Sequence, residues 1–161
     1  MANLKTEIVQ AAPFSSLEEE AILNLMRTSD CLERAFQQRI RGWGLTVTQY
    51  NVLRILRGAR PDGLTCAAIG ARMITMEPDI TRLLARLRGS KLIRQHRDRR
   101  DRRVVWTQIS EAGLELLEKL DPEIQRIPIE LVGHIDRKAL RQMIRTLELA
   151  RQFCSDANVA E

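Results

Sequence analysis

The sequence predicts a mainly α-helical protein with one small β-hairpin, and three observations lead to this fold class. Apolar residues recur at helical spacing along most of the 161 residues, whereas the stretch from Leu92 to Ile109 alternates with the period of a strand. Ser, Thr or Asp stands before most of the helical stretches, where helix N-caps are expected. Ten cationic and only two acidic residues lie from Arg82 to Arg103, which gives this segment a charge of +8. The whole chain carries +5, so the basic charge is concentrated around the predicted hairpin.

The N-terminal region is predicted to contain a loose arm followed by one long helix. The arm covers residues 1–14, and Ser15 or Ser16 can cap a helix that begins at Leu17. Three glutamates follow Leu17 and suit the positive end of the helix dipole. Apolar residues then continue at steps of four or seven as far as Ile40, and this apolar face is too wide for a helix surrounded by water. We therefore expect the helix to pack against another element.

Helix caps divide the next part of the chain. Thr46 and Gln49 form the pattern of a capping box, and Thr65 can cap a short apolar helix. Thr75 is the expected cap of the following helix, because Pro78 is tolerated in a first helical turn. The apolar stripe of this helix consists of Ile80, Leu83, Leu84 and Leu87. Two short helices separated by a turn are therefore predicted before the hairpin.

The hairpin is predicted from two alternating stretches and the charged turn between them. Residues 92–97 and 103–109 are the strand candidates, and Asp98 to Arg102 form the turn. A short helix pair followed by such a hairpin predicts a winged helix-turn-helix. A focused basic surface is typical of proteins that bind polyanions. The alternative is a solvated hairpin that is rich in arginine only for solubility.

The C-terminal region is predicted to be helical with interruptions. Ser110 can cap a helix over residues 111–120, Pro122 can restart or kink it, and Pro128 is a second interruption. Asp136 is the expected cap of a final helix. A heptad-like apolar seam on this helix consists of Leu140, Ile144, Leu147 and Cys154. This seam, together with the wide apolar face of the first long helix, predicts a homodimer.

Composition argues against several classes of protein. No apolar run approaches the roughly 20 residues that span a bilayer, and the N-terminus lacks the apolar block of a signal peptide, so we expect a cytoplasmic protein without a membrane partner. The cysteines Cys31, Cys66 and Cys154 are widely spaced, and His96 and His134 do not complete a metal-ligand pattern. We expect reduced thiols, no zinc and no cofactor. Because no acidic residue pairs with a His or Cys in a nucleophile motif, we also expect no enzyme.

Several blocks of sequence resemble the MarR family, the multiple-antibiotic-resistance type bacterial regulators. The string LTVTQYNVL at 45–53 resembles the entry to the family's winged domain, and 92–94, 98–103 and 109–113 look like its wing and following helix. The resemblance implies a homodimer on a pseudo-palindromic operator in double-stranded DNA, usually a repressor that a small molecule or an oxidant releases. It divides the chain into an N-terminal arm and dimerisation helix (1–44), a winged helix-turn-helix DNA-binding domain (45–120) and C-terminal dimerisation helices (121–161).

Two departures from the family pattern affect the predicted interface. The family usually places glycine just before the first wing strand, but Lys91 stands there and Gly89 lies two residues earlier, which leaves the wing register open. Glu77 and Asp79 place acidic groups at the start of the second helix of the pair. They can stabilise the helix N-terminus, or Asp79 can accept a hydrogen bond from a cytosine amino group.

DNA-contacting residues follow from the helix-turn-helix arrangement. The early exposed residues of the second helix lie near base edges, so Thr81, Arg82 and Arg86 are predicted to contact bases. The alternative is that Arg82 or Arg86 contacts only phosphate. Arg99 and Arg100 at the wing tip can enter a minor groove. The predicted DNA-binding set consists of Thr65, Thr75, Thr81, Arg82, Arg86, Arg97, Arg99, Arg100 and Arg102. A salt bridge between Asp98 and Arg102, which the resemblance implies, would stiffen the wing.

The sequence offers two candidates for the signal that would release the protein from DNA, a small ligand and the oxidation of a cysteine. The resemblance implies a ligand cleft beside the winged domain, and aromatic and Met side chains suit a planar apolar ligand. The candidate lining residues, which could equally be plain core, are Phe36, Trp43, Tyr50 and Met73. Cys66 is predicted at the first helical position after Thr65, where the helix dipole favours thiolate, so a redox trigger is an alternative. A winged-helix module that binds protein and not DNA is a third possibility.

Overall fold

A computed structural model describes residues 3–76 and 78–157, with side chains up to Cys154. The helices are α1 (Leu4–Glu7), α2 (Leu17–Ile40), α3 (Val47–Gly58), α4 (Cys66–Gly70), α5 (Ile80–Gly89), α6 (Glu111–Val132) and α7 (Arg137–Ala157), and a 3-10 turn covers Arg41–Trp43. The strands are β1 (Leu64–Thr65), β2 (Ile93–Arg97) and β3 (Val105–Ile109). The predicted fold class, mainly α with a small β-wing, is confirmed.

The three strands form one antiparallel sheet in the order β1-β3-β2. Leu64 pairs with Thr107, and Ile93 pairs with Ile109 at the base of the hairpin. The strand β1 was not predicted, because two residues are too few to show alternation. It joins the helix pair to the hairpin, so the sheet connects the two halves of the predicted winged motif.

Two compact units make up the chain, Met1–Ile124 and Gln125–Glu161. The first unit contains α1 to α5, the sheet and the first part of α6. Its most deeply buried apolar side chains are Ile40, Val52, Leu53, Leu56, Ile69, Leu87, Leu117 and Leu120. The second unit contains the end of α6 and all of α7. The core of the first unit therefore lies behind α5 and the hairpin and holds both in place.

The N-terminal arm is more ordered than the sequence suggested. The structure places a short helix, α1, where a loose arm was predicted, and the Asn3 side chain caps it by accepting from the Thr6 backbone N–H at 3.0 Å. Leu4 is buried, and Glu7 lies 3.8 Å from Arg27 of α2. One buried leucine is a signal too short to detect from periodicity, which explains the error.

The long helix α6 continues through both prolines, so the predicted restart at Pro122 and the predicted interruption at Pro128 are wrong. A proline inside a helix costs about 3 kcal/mol, yet α6 is unbroken across Pro122 and Pro128. Its buried side chains include Leu117, Leu120 and Ile127. Burial of one such side chain contributes about 1.5–3 kcal/mol, so the buried face offsets the proline cost.

Candidate nucleic-acid interface

The helix α5 presents a cationic face to solvent. Leu83, Leu84 and Leu87 are buried, as the apolar stripe predicted. Thr81, Arg82, Ala85 and Arg86 are exposed on the other side. A helix that fixes one apolar face in the core and leaves arginine on the opposite face is suited to reach into a DNA groove.

The cap of α5 differs from the prediction. Asp79 caps the helix, since its carboxylate accepts from the Arg82 backbone N–H at 2.9 Å, and the helix begins at Ile80. Among the described residues Thr75 caps no helix and instead lines a pocket, so the reason for predicting a phosphate contact there is lost. Aspartate is among the strongest N-caps, and it lies closer to the first buried leucine. The capping interpretation of Asp79 is therefore confirmed, while Glu77 lies outside the described residues.

A chain of side-chain hydrogen bonds joins α5 to the hairpin. Arg88 donates to the Gln95 side-chain oxygen at 3.3 Å, and the Gln95 amide donates to the Thr107 hydroxyl at 3.1 Å. Thr107 is only 1% exposed, so the far end of this chain is fixed in the sheet. The orientation of α5 relative to the wing is thus held by polar contacts as well as by the core.

The turn after α5 settles the wing register. Lys91 has φ of 61°, the left-handed conformation that glycine adopts most easily. The Leu92 backbone N–H donates to the Leu87 carbonyl at 3.0 Å, and the Ser110 hydroxyl donates to the Lys91 carbonyl at 2.7 Å. Lys91 therefore occupies the conformation expected of a glycine, and β2 begins at Ile93.

The wing turn is organised by Asp98. Its carboxylate accepts from the Arg100 backbone N–H at 2.7 Å, the Asp101 backbone N–H at 3.0 Å and the Trp106 indole at 2.9 Å. The Asp101 backbone bond, followed by the Trp106 indole and the Arg100 backbone, holds the pKa of Asp98 below its ordinary value. The predicted scaffolding role of Asp98 is served by these bonds.

The predicted salt bridge between Asp98 and Arg102 is wrong. Within the described residues, the ion pair of the wing joins Asp101 to Arg103 at 3.1 Å. Arg102 contributes its backbone carbonyl, which accepts from Arg97 at 3.5 Å, and its side chain is exposed. Because Asp98 is already satisfied by backbone and indole donors, it does not need a guanidinium partner.

Exposed cations continue from α5 along the whole wing. We call this set the basic surface, and it consists of Arg82, Arg86, Arg88, Lys91, Arg94, Arg97, Arg99, Arg100, Arg102 and Arg103. The acidic residues of the segment, Asp98 and Asp101, are engaged in the wing turn. All predicted arginine contacts are therefore exposed residues of the first unit.

A groove of about 480 Å³ runs between α5 and the wing strands. Thr81, Arg97 and Cys66 line it. Thr65 caps α4, because its hydroxyl accepts from the Ala68 backbone N–H at 3.3 Å, as predicted. Cys66 is therefore the first residue of α4, half-buried and directly behind the basic surface.

An apolar pocket of about 450 Å³ lies between α2, α3 and the segment before α5. Phe36 and Tyr50 line it, with ring centroids 6.1 Å apart. Burial raises the pKa of Tyr50, which is 8% exposed. The other lining residues are Ser29, Leu32, Glu33, Val47, Thr48, Asn51, Arg54, Ile74, Thr75 and Ile124. None of these ten residues was predicted to line a pocket. Arg54 could have been found, because it follows the predicted Tyr50 by four positions and so shares its helix face.

Trp43 and Met73 do not line this pocket. The Trp43 indole donates to the Glu123 carboxylate at 2.8 Å, which ties the 3-10 turn to α6. The Met73 sulfur lies 3.8 Å from the Asn51 amide nitrogen, which donates to it. Both side chains therefore have structural partners within the first unit.

Neither a membrane helix nor a metal cluster is found in the described ranges. No helix within residues 3–76 and 78–157 is long and apolar enough to cross a bilayer. Across the same residues, no group of three His, Cys, Asp or Glu side chains could hold a metal ion. Cys31, Cys66 and Cys154 are free thiols.

Comparison with known proteins identifies the family. A sequence model of the MarR family matches residues 43–104. A MarR transcription factor from Planctomyces limnophilus is 36% identical, with a TM-score of 0.66 over 85% of this chain and 99% of its own. The chain belongs to the MarR family. Because MarR-family proteins are transcriptional regulators, the expectation of no enzyme is confirmed.

Two further relatives extend the comparison. The HTH-type transcriptional regulator TtmR of Methylorubrum extorquens (strain PA1) is 31% identical over 106 residues, which are 66% of this chain. The matched part spans about half of that curated relative, 53% of its length. BpsR of Bordetella bronchiseptica, whose DNA binding is regulated by 6-hydroxynicotinic acid, is 22% identical. Its structure has a TM-score of 0.75, covering 87% of this chain and 98% of BpsR, and shares the MarR fold.

Proposed function

We propose that the protein is a homodimeric repressor that binds a pseudo-palindromic site in double-stranded DNA and is released by a small aromatic ligand. The observation that carries this proposal is the basic surface, in which α5 and the wing both present exposed cations and are joined through Arg88, Gln95 and Thr107. DNA binding by BpsR, a relative with the same fold, supports the same partner here.

The geometry favours different DNA contacts for different parts of the basic surface. Arg82 and Arg86 project from α5 and are suited to guanine edges in the major groove. Arg99 and Arg100 lie at the wing tip, which suits entry into a narrow minor groove. Arg97 and Arg102, which lie on either side of the wing tip in sequence, are left to contact phosphates.

Homodimer formation is supported by apolar side chains that a single chain leaves in water. On α2 these side chains are Leu17, Ile22, Leu25 and Met26, and on α7 they are Met143, Ile144, Leu149 and Phe153. The first turn of α2 is acidic, with Glu18, Glu19 and Glu20, while α7 begins with Arg137 and Lys138. Opposite charges at the starts of two exposed apolar helices favour pairing of α2 from one protomer with α7 from its partner.

Release by a ligand is supported by the position of the apolar pocket. Ile74 and Thr75 form part of its wall, and only three residues separate Thr75 from the Asp79 cap of α5. A ligand that displaces this wall would therefore act on the segment that leads into α5. Six of the twelve lining residues are apolar or aromatic, including Phe36 and Tyr50, and they provide most of the pocket surface, which suits a planar aromatic compound.

A second trigger is favoured by one observation. Cys66 lines the groove between α5 and the wing, so its oxidation would place new bulk and charge behind the basic surface. Operator binding after mild peroxide, compared between wild type and Cys66→Ser, separates the two triggers. Loss of binding in wild type alone supports the redox trigger. Equal behaviour of both proteins assigns release to the ligand.

The experiment that tests the proposed function is selection of DNA from a random pool by the purified protein, followed by a salt titration of the selected site. We expect a sequence with two related half-sites and an affinity that falls steeply as salt rises, because each phosphate contact contributes about 0.9 to the slope. Selection of no common sequence, or binding that is insensitive to salt, would contradict the proposal. Those outcomes would favour a winged helix that binds protein.

A further inference from the structure

Two large apolar side chains on the approach to α5 are exposed. Met76 is 99% exposed, more than any other large apolar side chain in the described residues, and Ile74 is 78% exposed. Ile74 nevertheless lines the apolar pocket, and the sulfur of nearby Met73 accepts a hydrogen bond from Asn51. Within the described part of the chain, Met76 is thus left without a packing partner.

The position of Met76 places it beside the residues proposed to read bases. It lies three residues before Asp79, the cap from which α5 begins. Three extended residues span at most about 11 Å, which is less than the width of a major groove, about 12 Å. A helix that inserts its first turn into the groove therefore brings Met76 to the edge of the same groove. Arg72 and Arg82 flank it in sequence, and the acidic Glu77 and Asp79 lie between Met76 and Arg82.

The chemistry of Met76 limits what it can contact there. A thioether has no hydrogen-bond donor and is only a weak acceptor, so its favoured contact with a base is apolar. The apolar group that the four bases present in the major groove is the C5-methyl group of thymine. An unbranched, polarisable side chain adapts well to such a contact.

We propose that Met76 contacts the C5-methyl group of a thymine in each operator half-site and so adds sequence preference to that of α5. The inference rests on the proposed DNA-binding function. It assigns the exposed methionine to the DNA and not to a second protein surface, because Met76 lies three positions before Asp79, the cap of the helix proposed to enter the major groove.

Deoxyuridine tests the contact, because it differs from thymidine only by the missing methyl group. Each thymine of one half-site in the selected operator is replaced in turn, and affinity is measured for wild type and Met76→Ala. We expect one replacement to weaken wild-type binding about fourfold, the effect of one buried methyl group. Met76→Ala should bind the unmodified operator more weakly and should not respond to that replacement.

Val9→Ala is the matched control, because Val9 is also an exposed apolar side chain but lies outside the basic surface. It should respond to deoxyuridine as wild type does. A fourfold response retained by Met76→Ala, wild-type affinity of Met76→Ala, or a wild type that ignores every replacement would each overturn the inference.

The oligomeric state and the selection step separate the remaining outcomes. A change in the light-scattering mass of Met76→Ala would place Met76 in a protein interface and would also overturn the inference. If wild type selects DNA but Met76→Ala keeps the response, this inference alone fails. If wild type selects no DNA, the proposed function fails with it.

Discussion

Replacement of Lys91 by glycine is expected to stabilise the protein. Lys91 has φ of 61°, and a residue with a Cβ pays about 1–2 kcal/mol in this left-handed conformation. Glycine removes that strain but adds about 0.4–1 kcal/mol of unfolded-chain entropy. The net gain in the free energy of unfolding therefore lies between 0 and about 1.6 kcal/mol. The midpoint, about 0.8 kcal/mol, corresponds to about 2–3 °C in Tm for a chain of this size.

Urea and thermal unfolding at one fixed protein concentration measure this gain, with Lys91→Ala as the matched control. Alanine removes the same charge but keeps a Cβ, so it relieves no strain. Both variants should weaken DNA binding equally, because each removes one cation from the basic surface. A gain in Lys91→Ala as large as that in Lys91→Gly would show that charge and not backbone strain is responsible. A loss of stability in Lys91→Gly would refute the reasoning outright.

Three further predictions concern the wing, the packing behind it and the dimer. The ionised Asp98 side chain stabilises the wing turn through its hydrogen bonds. Because the pKa of Asp98 is lowered, this stabilisation is present above the ordinary aspartate pKa and is lost as pH falls through the lowered pKa. Trp106 emission in a Trp43→Phe background should therefore change in acid before global unfolding, and Asp98→Asn should show that change at neutral pH; an unchanged emission would contradict this. Gly113→Ala should lose about 1–3 kcal/mol in urea unfolding, because the added Cβ meets the Leu92 carbonyl, whereas Gly89→Ala, with open space around it, should lose nothing. Light scattering should give twice the 18.5 kDa chain mass, and Leu25→Glu should reduce it; a wild-type monomer at micromolar concentration would remove the dimer proposal.

Local signals in the sequence were sufficient for most caps and for the hairpin. Thr46, Thr65 and Asp136 each cap the helix that follows, because an N-cap depends on one side chain and a backbone N–H two or three residues away. The alternation that predicted β3 reflects the deep burial of Thr107 and Ile109. Such features are encoded within a few residues of one another.

Features that depend on distant partners could not be predicted. Trp43 was assigned to a ligand cleft, but its partner Glu123 lies 80 positions further along the chain. Asp98 was given a guanidinium partner, although the turn brings backbone N–H groups and the Trp106 indole to it. The unbroken helix across Pro122 likewise depends on burial that periodicity shows only in part. Choosing between Thr75 and Asp79 as the cap of α5 also required the tertiary structure, because both residue types suit the role.

The most direct test of the account compares the salt dependence and sequence preference of Arg82→Ala and Arg100→Ala on the selected operator. The account predicts that Arg82→Ala relaxes preference at one base position by about 1–3 kcal/mol. Arg100→Ala should weaken binding to many sequences alike and reduce the salt slope by about 1. If both substitutions give the same uniform loss, or if neither changes binding, then α5 and the wing do not share the reading of DNA in the way proposed here.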